Sequence, residues 1–158
     1  MQILQEPIRL LADEMLGRLA RWLRLLGYDT LYEPGLSDHQ LAARARHEDR
    51  TLLTRDRELA RRKGIRCLLI HSQKLEEQLE QVMRELGTPP PESEPRCSQC
   101  NAQLTSISHQ EASLKVPAFV LDTHKRFRYC AQCDQVYWQG SHWQHITEIA
   151  AHLRHRKK

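Results

Sequence analysis

This 158-residue sequence predicts an α/β fold, a parallel sheet flanked by helices, followed by a small ribbon that needs a metal to hold it together. Three observations carry that expectation. Over residues 1–87, short apolar runs alternate with amphipathic, helix-patterned segments. A break with four prolines follows at 88–95. Residues 96–158 then carry two Cys-x2-Cys pairs and end in a basic, His-rich tail. Strand and helix alternating at these lengths require crossover connections and a sheet covered on both faces. The proline-rich stretch reads as a stiff linker between a first domain and a second.

The elements follow in order. Ile8–Asp13 is a short apolar run ending in acid. Met15–Gly27 is helical, with Leu16, Leu19, Ala20, Leu23 and Leu26 on one face and Gly27 to stop it. Tyr28–Tyr32 reads as a strand, and Ser37 caps a helix over Asp38–Glu48. Thr51–Thr54 is a strand, Asp56–Lys63 a helix stopped by Gly64, Ile65–Ile70 a strand, and Lys74–Leu86 an amphipathic helix. The strands are nearly continuous in apolar residues, as burial on both faces requires. Past the linker, Leu114–Leu121, Phe127–Tyr129 and Val136–Trp138 alternate like short strands, and the end of the chain from Ile146 is helix-patterned.

Composition narrows the class. No run approaches the ~18 apolar residues of a membrane-spanning helix, and the first residues lack a secretory layout, so the expectation is a soluble, cytoplasmic protein. Formal net charge is +4, unevenly placed: 15 Lys and Arg against 16 Asp and Glu up to residue 95, then 9 against 4. A basic module beside a neutral one suggests a polyanionic partner, nucleic acid first. No Walker or dinucleotide-binding glycine motif is present, and no G-x-S-x-G elbow.

The acids bear on chemistry. In an open parallel sheet, ligands bind at the carboxyl ends of the strands. Asp13 closes the first strand, Asp38 opens the helix after the second, and Asp56 follows the third with Glu58 two residues on. All four belong to one rim. Asp38 and Asp56 also stand where helix caps stand. Several carboxylates on one rim repel unless a cation intervenes, and hard ions such as Mg²⁺ or Mn²⁺ take such ligands. Phosphodiester hydrolysis is the chemistry that suits them. Arg18, Arg21 and Arg24 recur at helical spacing, and Arg55 and Arg57 flank Asp56. Arg18, Arg21 and Arg55 are the candidates for holding phosphates, with a solvated helix face as the plainer alternative.

Cys97, Cys100, Cys130 and Cys133 form two knuckles 29 residues apart, the spacing of a structural, four-thiolate Zn²⁺ site. Asn101 and Asp134 follow the second cysteine of each pair, and both residue types tolerate the left-handed backbone of a tight turn. Cys67, in an apolar run, reads as a small core residue. Tyr137, Trp138 and Trp143 either build the ribbon's core or stack on bases.

LADEMLGRLARWLRLLGYDT over residues 11–30, LLTRDREL over 52–59, the two cysteine knuckles and VYWQGSHW over 136–143 resemble the Mut-seven C-terminal RNase domain family over nearly the whole chain. That resemblance implies a PIN-like nuclease domain at 1–87, a linker at 88–95 and a zinc ribbon at 96–158. It implies a metal-dependent ribonuclease, with the acidic set on Asp13, Asp38 and Asp56 and the zinc set on the four cysteines. Glu58 stands where related PIN-like proteins often have Asp, with the same charge on a longer arm. Two rival expectations remain: a non-catalytic RNA-binding or docking module of the same fold, and a nuclease acting on DNA.

Overall fold

The computed structural model describes residues 6–156. Four parallel strands form the main sheet: β1 (Arg9–Ala12), β2 (Asp29–Tyr32), β3 (Thr51–Thr54) and β4 (Cys67–Leu69), in the spatial order β2-β1-β3-β4. A single 3₁₀ turn (Glu14–Leu16) and α1 (Gly17–Leu25) join β1 to β2. Helix α2 (Asp38–His47) joins β2 to β3, α3 (Arg57–Ala60) joins β3 to β4, and α4 (Leu75–Leu86) follows β4. The third helix is shorter than its sequence pattern suggests: it ends at Ala60, four residues before Gly64, which turns the chain at a φ of 82°.

Strand side chains alternate between two faces, so the sheet builds two cores. Leu10, Ala12 and Leu53 face α1 and α4, packing with Leu19, Leu23, Leu79 and Val82. Leu11 and Leu52 face the other way, onto Leu41 and Ala45 of α2 and Leu59 of α3. Ser37 and Gln40 close a reciprocal capping box at the start of α2. Gly27 ends α1 at a φ of 98°, where a Cβ would sit 3.2 Å from Ser93 Cβ, so the proline-rich segment crosses close over this glycine.

The second sheet is antiparallel: β5 (Thr105–Ile107), β6 (Phe127–Cys130) and β7 (Gln135–Tyr137), in that order. Leu114–Leu121 is not a strand. Two short helices, α5 (His109–Ser113) and α6 (Ala118–Thr123), occupy this region, capped by Ser108 and opened by Pro117. The alternation misleads because Leu114 and Phe119 are exposed, while Ala112 and Val120 turn inward onto Phe127 and Val136.

The last helix, α7 (Ser141–Arg156), returns to the first sheet and inserts Ile146 and Ala150 into the core beneath α1 and α4. The ribbon also grips the sheet edge. Asn101 donates to Asp29 Oδ1 at 2.8 Å and accepts from the Thr30 N–H at 3.0 Å, so its carboxamide satisfies a backbone group on edge strand β2. Arg24 is buried rather than solvated: its Nε donates to Thr30 O at 2.8 Å and its Nη1 to Ser98 O at 2.9 Å. It clamps the first knuckle to β2 and is turned away from any phosphate at the rim.

Candidate functional site

Asp13 lies one residue past β1 and prolongs the ladder, its N–H donating to Leu53 O at 2.9 Å. Two residues on from Leu11, it inherits the face covered by α2 and α3. Thr54, two on from Leu52, shares that face and ends β3 fully buried. The Thr54 hydroxyl donates to Asp13 Oδ2 at 2.8 Å and accepts from the Asp56 N–H at 3.0 Å. Asp56 then caps α3, its Oδ1 accepting from the N–H groups of Glu58 at 2.8 Å and Leu59 at 3.4 Å. Thr54 thus fixes both acids at the carboxyl ends of adjacent strands. Nothing in the sequence patterning singled it out, although a threonine closing a buried strand two residues before an acid is a usable signal.

Each acid retains acceptor capacity. Asp13 takes one hydrogen bond on each oxygen, and Asp56 Oδ2 takes none among the described residues. Asp38 opens α2 on the same face, exposed, and Glu58 is exposed in the first turn of α3. Neither carboxylate makes a hydrogen bond or ion pair among the described residues. The four acids do not close into a cage: among the described residues, no three of them bring carboxylate oxygens within 4.8 Å of one another. A hydrated divalent ion does not need a cage, since Mg²⁺ keeps several waters and commonly takes one or two carboxylates plus substrate phosphate. Asp13 and Asp56 keep open acceptor sites of the kind such an ion takes.

The arginines separate. Arg18 and Arg21 are exposed on α1, which covers the opposite face of the sheet from α2 and α3. Arg18 lines a cleft of about 580 Å³ with Lys74, Glu76 and His142. Arg55 donates to Ser72 O at 3.1 Å, tying the β3–α3 turn to the loop before α4.

The four cysteines do converge. Their sulfur atoms all lie within 4.8 Å of one another, with Cys97–Cys133 at 3.9 Å and Cys100–Cys130 at 3.5 Å. A tetrahedral zinc–thiolate site, with bonds of about 2.3 Å, requires sulfur separations of about 3.8 Å, so the set fits zinc. Asn101 and Asp134 have φ of 70° and 53°, the left-handed turns that let each knuckle fold back. Burial pushes the Cys97 thiol up, but the Tyr137 hydroxyl at 3.1 Å and the N–H groups of Cys100 and Gln99 outweigh it and bring it to about 7. Cys133 is pushed up to about 12, first by its contact with Cys100. Four thiols so close resist ionising together, and a cation removes that resistance. Cys67 stands apart, packed in the second core and pushed up to about 11 by burial and then by the charge of Asp13.

No helix among the described residues is long and apolar enough to cross a membrane. Among known protein families, the family model of the Mut7-C RNAse domain matches residues 8–150. No curated protein and no solved structure matches the chain. The matched span runs from the start of the first sheet into the last helix and includes the acidic rim and all four cysteines. The chain belongs to the Mut7-C RNAse domain family.

Proposed function

We propose that this protein is a Mg²⁺- or Mn²⁺-dependent ribonuclease that cuts within RNA chains, with its site at the acidic rim. Membership of an RNase domain family supports the ribonuclease class. The observation that carries the site assignment is the Asp13–Thr54–Asp56 linkage at the carboxyl ends of β1 and β3. Asp13 and Asp56 would hold the ion, with Asp38 facing it from α2 and Glu58 from α3. The chemistry such an ion supplies is a water acidified for attack on phosphorus and charge neutralisation on the scissile phosphate. Thr54 holds the Asp13 carboxylate directly and the Asp56 backbone, while the Glu58 and Leu59 N–H groups orient the Asp56 carboxylate. Arg18, Arg21 and the free nitrogens of Arg55 would steady flanking phosphates. The zinc, with no open position among four thiolates, is structural. Thiols kept for a metal suit the reducing cytoplasm.

The separation of the acids favours one second reading, a non-catalytic RNA-binding module. The test is cleavage of an end-blocked single-stranded RNA by zinc-loaded protein, with and without added Mn²⁺. Internal cleavage only with Mn²⁺ supports the nuclease. RNA binding without cleavage under either condition supports the second reading.

A further inference from the structure

The zinc ribbon carries a groove that the acidic rim does not explain. It encloses about 280 Å³ between the α6–β6 connection, the end of β7 and the start of α7, and its lining contains no Asp or Glu. Its charged residues are Lys125, Arg126 and Arg128, and its rings are His124, Tyr137, Trp138 and Trp143. Arg128 is paired with Glu94, but Lys125 and Arg126 are exposed and enter no ion pair among the described residues. Trp138 is held in place, packed against the ribbon core on one side and within 6.5 Å of the His124 ring on another. His124 is itself fixed by Thr123 Oγ1 at 2.9 Å.

Unpartnered cations beside a fixed, part-exposed indole match one ligand chemistry: an unpaired nucleotide, its phosphate on the cations and its base on the ring. A groove at the small end of ligand pockets admits a single nucleoside and excludes a duplex, whose bases are already stacked. We propose that this groove is a single-stranded nucleic-acid subsite, with Trp138 stacking a base and Lys125 and Arg126 holding the adjoining phosphates. This rests on the reading of the protein as acting on nucleic acid. Trp143 lines the groove, and the preceding residue, His142, packs on Trp22 of α1 and lines the cleft containing Arg18. A strand leaving the groove therefore meets the start of α7 and then the first turn of α1, which begins one 3₁₀ turn after Asp13.

The test is binding rather than turnover, in full-length, zinc-loaded Asp13→Asn protein, so that cleavage plays no part. Affinity for labelled oligouridylate, the matched oligodeoxythymidylate and a duplex is measured by anisotropy across a salt series, with tryptophan emission recorded alongside. The unpaired strand should bind about 10-fold or more tighter than the duplex, as loss of stacking implies. Lys125→Ala/Arg126→Ala should weaken binding and lower the slope of log affinity against log salt by about 1.4, two single-strand phosphate contacts. Binding should quench tryptophan emission, and Trp138→Phe should abolish most of that quenching with its zinc content unchanged. The RNA and DNA arms decide which sugar the groove accepts, and tight binding of either supports the subsite. Equal affinity for duplex, or an unchanged salt slope in the double variant, overturns it. Residual cleavage by Asp13→Asn overturns the nuclease site alone and leaves this result standing.

Discussion

Thr54 donates its hydroxyl proton to Asp13 across the β1–β3 ladder at 2.8 Å, while its oxygen accepts the Asp56 N–H at 3.0 Å. One buried side chain therefore sets the position of two acids separated by 43 residues of sequence. Strand pairing places Thr54 beside Asp13, and the turn after β3 returns the Asp56 backbone to the same oxygen. Orientation at the rim follows from the register of the sheet.

Thr54→Val keeps shape and burial but removes both hydrogen bonds. The Asp56 N–H loses its partner, so stability should fall by about 1–3 kcal/mol. Thermal unfolding measures that loss. Cleavage should fall further than stability explains, because Asp13 is no longer held. Thr54→Ser, which keeps the hydroxyl, should recover most of the rate.

Zinc should be present at one ion per chain, by elemental analysis, and should be structural. Its removal frees the two knuckles, and with them Asn101 and Arg24, which dock the ribbon on β2. Chelation, or Cys97→Ser, should unfold residues 96–140 and expose the edge of β2 to hydrogen exchange. The inner strands β1 and β3 should keep their protection. Loss of protection throughout the chain would mean that the metal supports the whole fold.

Asp29 and Glu48 give a signed pH dependence. Burial pushes the Asp29 carboxyl up, but hydrogen bonds from Arg50 and Asn101 outweigh it and hold it below the usual carboxylate range. Arg50 and Arg44 hold Glu48 down against burial in the same way. A carboxylate depressed in the folded state binds fewer protons there than when unfolded, so stability rises with pH through this window. The contribution is complete above the ordinary carboxylate range near pH 4 and is lost as pH falls through the folded values. Denaturant midpoints between about pH 6 and about pH 3 should show this fall, and Asp29→Asn should flatten it.

Asn101→Ala removes the side chain that joins the ribbon to the edge strand. The Thr30 N–H is buried, so the loss should cost about 1–3 kcal/mol, read from the same midpoints. Asn101→Asp should not rescue it, since a second carboxylate would face Asp29 at the 2.8 Å contact.

Much of the main sheet was legible because its signals are local. Thr51–Thr54 matches its strand end to end, and Ser37 with Gln40 marks the start of α2 directly. The cysteine knuckles were equally plain, because metal chemistry fixes ligand type and spacing. Leu114–Leu121 misled, since period-two alternation on an exposed segment does not distinguish a strand from two short helices. Ser108 with Glu111 three residues on is the helix-start pattern that outweighs it, and Pro117 opens the next helix. Arg24 was unreadable as a clamp, because its partners Thr30 and Ser98 lie on an edge strand and in a cysteine knuckle far along the chain. The acidic rim was legible as a topological consequence of parallel strands, but Thr54 was not, because its role depends on the register between β1 and β3.

On the proposed function, the Asp13 carboxylate serves metal-dependent RNA cleavage. The most direct measurement is the rate of Mn²⁺-dependent cleavage of a circular single-stranded RNA by purified wild-type and Asp13→Asn proteins, matched for zinc content and melting temperature. The wild type should give linear products, and the variant a rate at least about 100-fold lower, consistent with loss of a group that holds the reacting centre. Equal rates in two equally folded proteins would contradict it.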